Sequence, residues 1–169
     1  MSAAALRFPH VMNINTITAV LESATEAAIR ALFDDDKTVF WVDWREDEGD
    51  IVRYCESVLQ TGSLTAEWIR AGTPRGSDLY ISYGARRIRV PLINGDEDRH
   101  ITLCALNGAL APDYEVRFCI GSNGSDTLAF LPLPAVQWAE LEQRYGAGVG
   151  RHFYRLAERP NIFTDPLPL

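Results

Sequence analysis

His100 and Cys104 stand four residues apart in a stretch with helical spacing, so both side chains could face one site. A thiol beside an imidazole is the minimum for a nucleophile with its base, and two soft ligands could begin a zinc site. Cys104, however, shares the apolar face with Ile101, where burial raises a thiol pKa rather than lowering it. The pair also lacks a third orienting group and oxyanion donors. It reads as a core cysteine beside a first-turn histidine.

Other chemistry-bearing patterns have simpler readings. Gly146-x-Gly148-x-Gly150 precedes Arg151 and His152. A phosphate loop needs its glycines between a strand and a helix. Here the preceding segment reads as helix, so the glycines mark a break. Arg86, Arg87 and Arg89, with Tyr80 and Tyr83 close by, could touch phosphate or RNA. Without a positive surround they read as charged residues guarding an edge strand. Asn123-Gly124-Ser125 matches a glycosylation sequon but sits in a turn cluster.

The most unusual feature is acidic. Residues 1–60 carry 11 acids and 5 bases, residues 61–120 carry 7 of each, and residues 121–169 carry 5 and 4. Most of the net charge of −7 therefore lies in the first third, in Asp34-Asp35-Asp36 and in Asp43-Trp44-Arg45-Glu46-Asp47-Glu48-Gly49-Asp50. The second run lacks the ligand spacing and distal glutamate of an EF-hand loop. Its first-turn acids suit a helix dipole. The surplus, flanked by Trp41 and Trp44, suits arginines and lysines on a protein partner, with an aromatic anchor in an acidic rim. Asp34, Asp35, Asp36, Trp44, Glu46, Asp47, Glu48 and Asp50 are the expected partner-binding residues. The field repels nucleic acid and anionic lipid. No catalytic set, metal-ligand set or cofactor motif is assigned.

The elements follow from periodicity. A helix is predicted over 16–33, with Asn15 or Thr16 as cap, and a doubly buried strand over Val39–Val42. A helix follows at about 47–60, closed by Gly62, and a short helix capped by Ser63 runs through Trp68. Alternation at Leu79–Tyr83 and Ile88–Leu92 about Gly84-Ala85 predicts a type II′ hairpin, its second strand at an edge because of Pro91. Asp96–Asp98 opens a helix ending before Pro112. Tyr114–Ile120 and Thr127–Leu131 form a second hairpin around the turn at 121–126. Pro134 opens a helix, and a further helical stretch includes Phe153, Leu156 and Ala157.

The expected fold is α+β: a single domain over 1–169, with an arm at 1–13 and an irregular tail at 160–169. Its antiparallel or mixed sheet has about four to five strands, from two hairpins and one short strand, packed with helices. Apolar residues make up 47% of the 169, enough for a core without staples. No apolar run approaches the ~20 residues that span a bilayer. Met1–Ala5 carries no basic leader, and Cys55, Cys104 and Cys119 read as free thiols, so a cytoplasmic protein is expected.

An acidic domain with no catalytic set, an acidic-aromatic patch, and 15 arginines against the single Lys37 resembles the bacterial toxin-immunity proteins. The resemblance is one of general character and implies a protein that binds a cognate toxin domain, often a basic one, and occludes its active site. It carries over no residue roles. The alternatives are a small-ligand binder or enzyme near His100 and Arg86–Arg89, and a structural or adaptor homodimer through an exposed strand. The first reading leaves a monomer or a homodimer open.

Overall fold

The computed structural model describes residues 14–168. The arm expected at 1–13 lies outside them. The chain runs α1 (Ile14–Ser23), α2 (Glu26–Phe33), β1 (Phe40–Asp43), α3 (Glu48–Leu59), β2 (Leu64–Arg70), β3 (Ser77–Tyr83), β4 (Arg86–Arg89), α4 (Asp98–Leu110), β5 (Tyr114–Cys119), β6 (Thr127–Pro134), α5 (Ala135–Tyr145), α6 (Ala147–His152) and β7 (Phe153–Arg155). A 3-10 turn at Ile120–Ser122 follows β5. The class is α+β, built on two antiparallel sheets rather than one. The four-stranded sheet has the order β1-β6-β5-β7 and the three-stranded sheet β2-β3-β4.

Helices α3 and α4 touch each other and both sheets. α3 packs on β1 and β6 and also on β2 and β3; α4 packs on β5 and also on β3 and β4. The two helices are therefore a middle layer. α5 covers the four-stranded sheet through β5 and β6. This arrangement explains why β6 is buried along nearly its whole length while β3 alternates between buried and half-buried positions. Pro132 and Pro134 lie beyond the Phe40–Phe130 pair where β1 begins, so they occupy the part of β6 with only β5 beside it. Proline, having no N–H, fits such a position.

The core joins Ile51, Val52, Cys55 and Val58 of α3 to Leu103, Leu106 and Leu110 of α4. Leu79 and Ile81 meet them from one sheet, and Val116, Phe118 and Phe130 from the other. A further polar knot is buried. Arg117, 1% exposed, donates to Glu115 and to Glu142 at 2.8 Å and lies 4.1 Å from the Trp138 ring. That geometry satisfies a charge that burial alone would make costly.

Five expectations of local structure are corrected. The predicted helix 16–33 is two helices, because Ala24 turns to φ 48° and the Thr25 hydroxyl accepts the Ala28 N–H to start α2. The predicted short helix from Ser63 is strand β2, whose Leu64, Ala66 and Trp68 face inward in alternation. The predicted helix through Phe153 is strand β7, paired with β5. β1 is covered mainly on one face, since Trp41 and Asp43 are only half-buried. Gln60, at φ 51°, rather than Gly62, closes α3. The Gly84-Ala85 hairpin is present, with Tyr83 opposite Arg86 and Gly84 at φ 57°. Residues 160–168 form no helix or strand, yet Asn161 and Ile162 are buried.

Candidate functional site

The acids of the first third fall into two groups separated by β1. Asp34–Asp36 precede the strand and the 43–50 run follows it. The four extended residues of β1 by themselves span about 13 Å. Asp34 and Asp36 are exposed, whereas the Asp35 carboxylate accepts the Lys37 amide and the Thr38 hydroxyl, fixing the turn into β1.

In the second group most carboxylates already have partners within the chain. Asp47 is the N-cap of α3: its Oδ1 accepts the Gly49 N–H at 2.8 Å and the Trp68 indole N–H at 3.3 Å. A Cβ on Gly49 would stand 3.0 Å from that oxygen and 3.1 Å from the indole nitrogen, so the close approach depends on glycine. Glu46 accepts the Tyr54 hydroxyl at 3.0 Å, which raises the phenol pKa. Asp50 pairs with Arg53. Glu48, 6% exposed, is not a surface residue at all. Arg75, from the β2–β3 loop, holds it at 2.6 Å while also reaching Asp98.

Trp44 is different. It is 52% exposed, with the Arg45 guanidinium 4.3 Å from its ring centre. It lines a cavity of about 700 Å³, which sequence reasoning missed. The walls come from four distant segments: Trp44 after β1, Asp96 and Arg99 at the start of α4, Asn123–Asp126 before β6, and Ile162–Pro166 near the C-terminus. Two local signals existed, the turn cluster at 121–126 and the acids opening α4. Nothing in the sequence says that they converge on Trp44.

Asp165 is anchored by the Asn161 amide at 2.8 Å and by Thr164 and Arg159. The Asn161 amide bond leads in holding its carboxyl below the usual range, so it stays ionised. Asp98 at the head of α4 gives one oxygen to the Ile93 amide, and the other to the Asn94 amide and Arg75. It is thereby fully committed, and Arg99 beside it receives nothing from it.

His100 and Cys104 do meet. The sulfur lies 3.6 Å from His100 Nε2, and both approach the Ala157 carbonyl, at 2.8 Å from Nε2 and 3.4 Å from Sγ. They line a cavity of about 440 Å³ with Ile88, Arg89, Pro91 and Glu158 among its walls. Cys104 is therefore half-buried rather than a core filler. Burial first, and then Glu158, push its thiol up to about 11, the reverse of what a nucleophile needs. Among the described residues no group of three His, Cys, Asp or Glu side chains could hold a metal ion. Each arginine of the 86–89 strand has its own carboxylate: Arg86 has Asp113, Arg87 has Glu67 and Arg89 has Asp78. That leaves the strand little charge for a nucleic-acid phosphate.

No helix among the described residues is long and apolar enough to cross a membrane. Compared with protein-family models, with curated proteins and with solved structures, the chain finds no match.

Proposed function

We propose that this protein is an acidic binding protein that captures a basic protein partner, in the manner of the toxin-immunity proteins. The contact surface is centred on Trp44. The observation that carries this reading is the half-exposed indole between two sets of carboxylates. Glu46 and Asp47 follow it in the chain, and Asp96, Asp126 and Asp165 share its cavity. An exposed aromatic inside an acidic rim suits an anchor that packs while charge steers the encounter. Asp34 and Asp36 add long-range attraction from the far end of β1, and Glu48 serves the fold instead.

The test is a pull-down from the source cells at low and high salt, followed by association kinetics with the captured partner. Expected is a basic protein whose association rate falls as salt rises. Trp44→Ala should speed its dissociation at least about tenfold. The double reversal Asp34→Lys with Asp36→Lys should slow association at low salt and leave the melting temperature unchanged. An acidic partner, or full affinity in Trp44→Ala, rejects the proposal.

A further inference from the structure

Among the described residues, three charges in the Trp44 cavity lack counter-charges. Arg99 makes no ion pair or hydrogen bond among the described residues, and its Nε is buried without an acceptor. Its neighbour Arg75, by contrast, is held by two carboxylates. Among the described residues Asp96 and Asp126 likewise have no side-chain partner, and Asp165 is already engaged by Arg159. The cavity therefore keeps one guanidinium and two carboxylates apart and unpaired instead of letting them neutralise one another. Trp44, Leu128, Ile162 and Phe163 supply apolar wall between them.

The complement of one free cation and two free anions is a molecule with one carboxylate and two cationic groups on an aliphatic stem. We infer that this cavity is a binding site for a basic α-amino acid, whose carboxylate pairs with Arg99 while its two cationic groups lie among Asp96 and Asp126. A fork of N–H donors matches a carboxylate better than a point charge does, which gives Arg99 its role. The methylene stem lies along the apolar wall, as arginine and lysine stems do on protein surfaces. A volume of about 700 Å³ is ample for such a ligand. The same groups at the C-terminal arginine of a peptide would offer one cation fewer. The site goes beyond the partner-capture reading, and either can fail without the other because no protein partner enters this test.

The experiment is calorimetric titration of the whole chain with L-arginine, L-lysine and agmatine, which keeps the cationic groups but has no carboxylate. Saturable binding of arginine or lysine is expected, with agmatine at least about tenfold weaker. Arg99→Gln should erase the preference for arginine over agmatine while its melting curve stays native. Should that variant fold poorly, Asp126→Asn in the exposed turn provides the second probe, weakening arginine and agmatine alike. A peptide ending in arginine separates the two sources. Weaker binding of the peptide is expected, because it lacks one cation, and binding as tight as the free amino acid overturns the inference. No saturable binding of any of these probes at millimolar concentration overturns the inference. So does agmatine binding as tightly as arginine, or an undiminished preference in Arg99→Gln.

Discussion

The Arg75 guanidinium lies 2.6 Å from the Glu48 carboxylate, and the same guanidinium reaches Asp98 at 3.3 Å. One arginine on the β2–β3 loop thus ties together the first turns of α3 and α4, the two helices of the middle layer. It also lies 4.6 Å from the Trp68 ring, whose indole N–H bonds the α3 cap. Removing Arg75 leaves two nearly enclosed carboxylates facing each other. Breaking a fully buried pair costs about 3–5 kcal/mol. The Arg75 side chain is 32% exposed, so water offsets part of the loss. Arg75→Met is expected to destabilise by roughly 2 kcal/mol in urea unfolding, and adding Glu48→Gln should restore part of that. A loss no larger than that of an exposed pair would mean that the knot contributes little.

Thiol reactivity should separate the three cysteines. Cys55 and Cys119 are enclosed, and burial raises both thiols. Cys104 is reachable but held protonated, at about 11. In the native state only Cys104 should react with a disulfide reagent, slowly at neutral pH and faster as pH rises toward 11. Cys104→Ser should leave no native reactivity. Fast labelling at neutral pH would contradict the protonated thiol.

Ala24 joins α1 to α2 in a left-handed conformation that a side chain disfavours. Glycine adopts it without that penalty, although it adds freedom to the unfolded chain. Ala24→Gly is expected to raise stability by about 0.5–1 kcal/mol in thermal unfolding. Thr25→Ala, which removes the α2 cap, should lower it by about 1 kcal/mol. Destabilisation by Ala24→Gly would show that the unfolded-state effect dominates.

His152 sets one acid-side limit. Burial, and then Arg151, push its imidazole below the ordinary value of 6.5. The unfolded chain therefore takes up a proton before the folded one does. Its contribution is intact above pH 6.5 and is lost as pH falls below that toward the lower folded value. The melting temperature should decline over that range, and His152→Gln should flatten the decline. An unchanged slope in the variant would assign the acid sensitivity to other groups.

Much of the fold follows from local pattern. The 3.6-residue spacing of Ile51, Val52, Cys55 and Val58 marks α3, and the alternation of Tyr114, Val116 and Phe118 marks β5. Gly84-Ala85 names a hairpin. Such signals are legible because one face of each element is buried and the other is not. β2 was obscured because Leu, Ala and Glu favour helix, although Leu64, Ala66 and Trp68 alternate as a strand requires. β7 is three residues long, too short to carry a period, and exists because β5 offers it an unpaired edge.

The site divides in the same way. Sequence alone established the acidic opening third, the tryptophan within it and the lack of EF-hand spacing in its acidic run. It assigned the first-turn acids to a helix dipole but did not tell which carboxylates the fold encloses or pairs. Tertiary structure separated them, because the α3–α4 layer encloses Glu48 around Arg75 and caps α3 with Asp47. Only Asp34 and Asp36 remain exposed and unpaired among the eight expected partner-binding residues apart from Trp44 itself. It also brought Arg99, Asp126 and Asp165 beside Trp44. A charge's worth depends on what stands within a few ångströms of it and on how much water remains, and a linear spacing specifies neither.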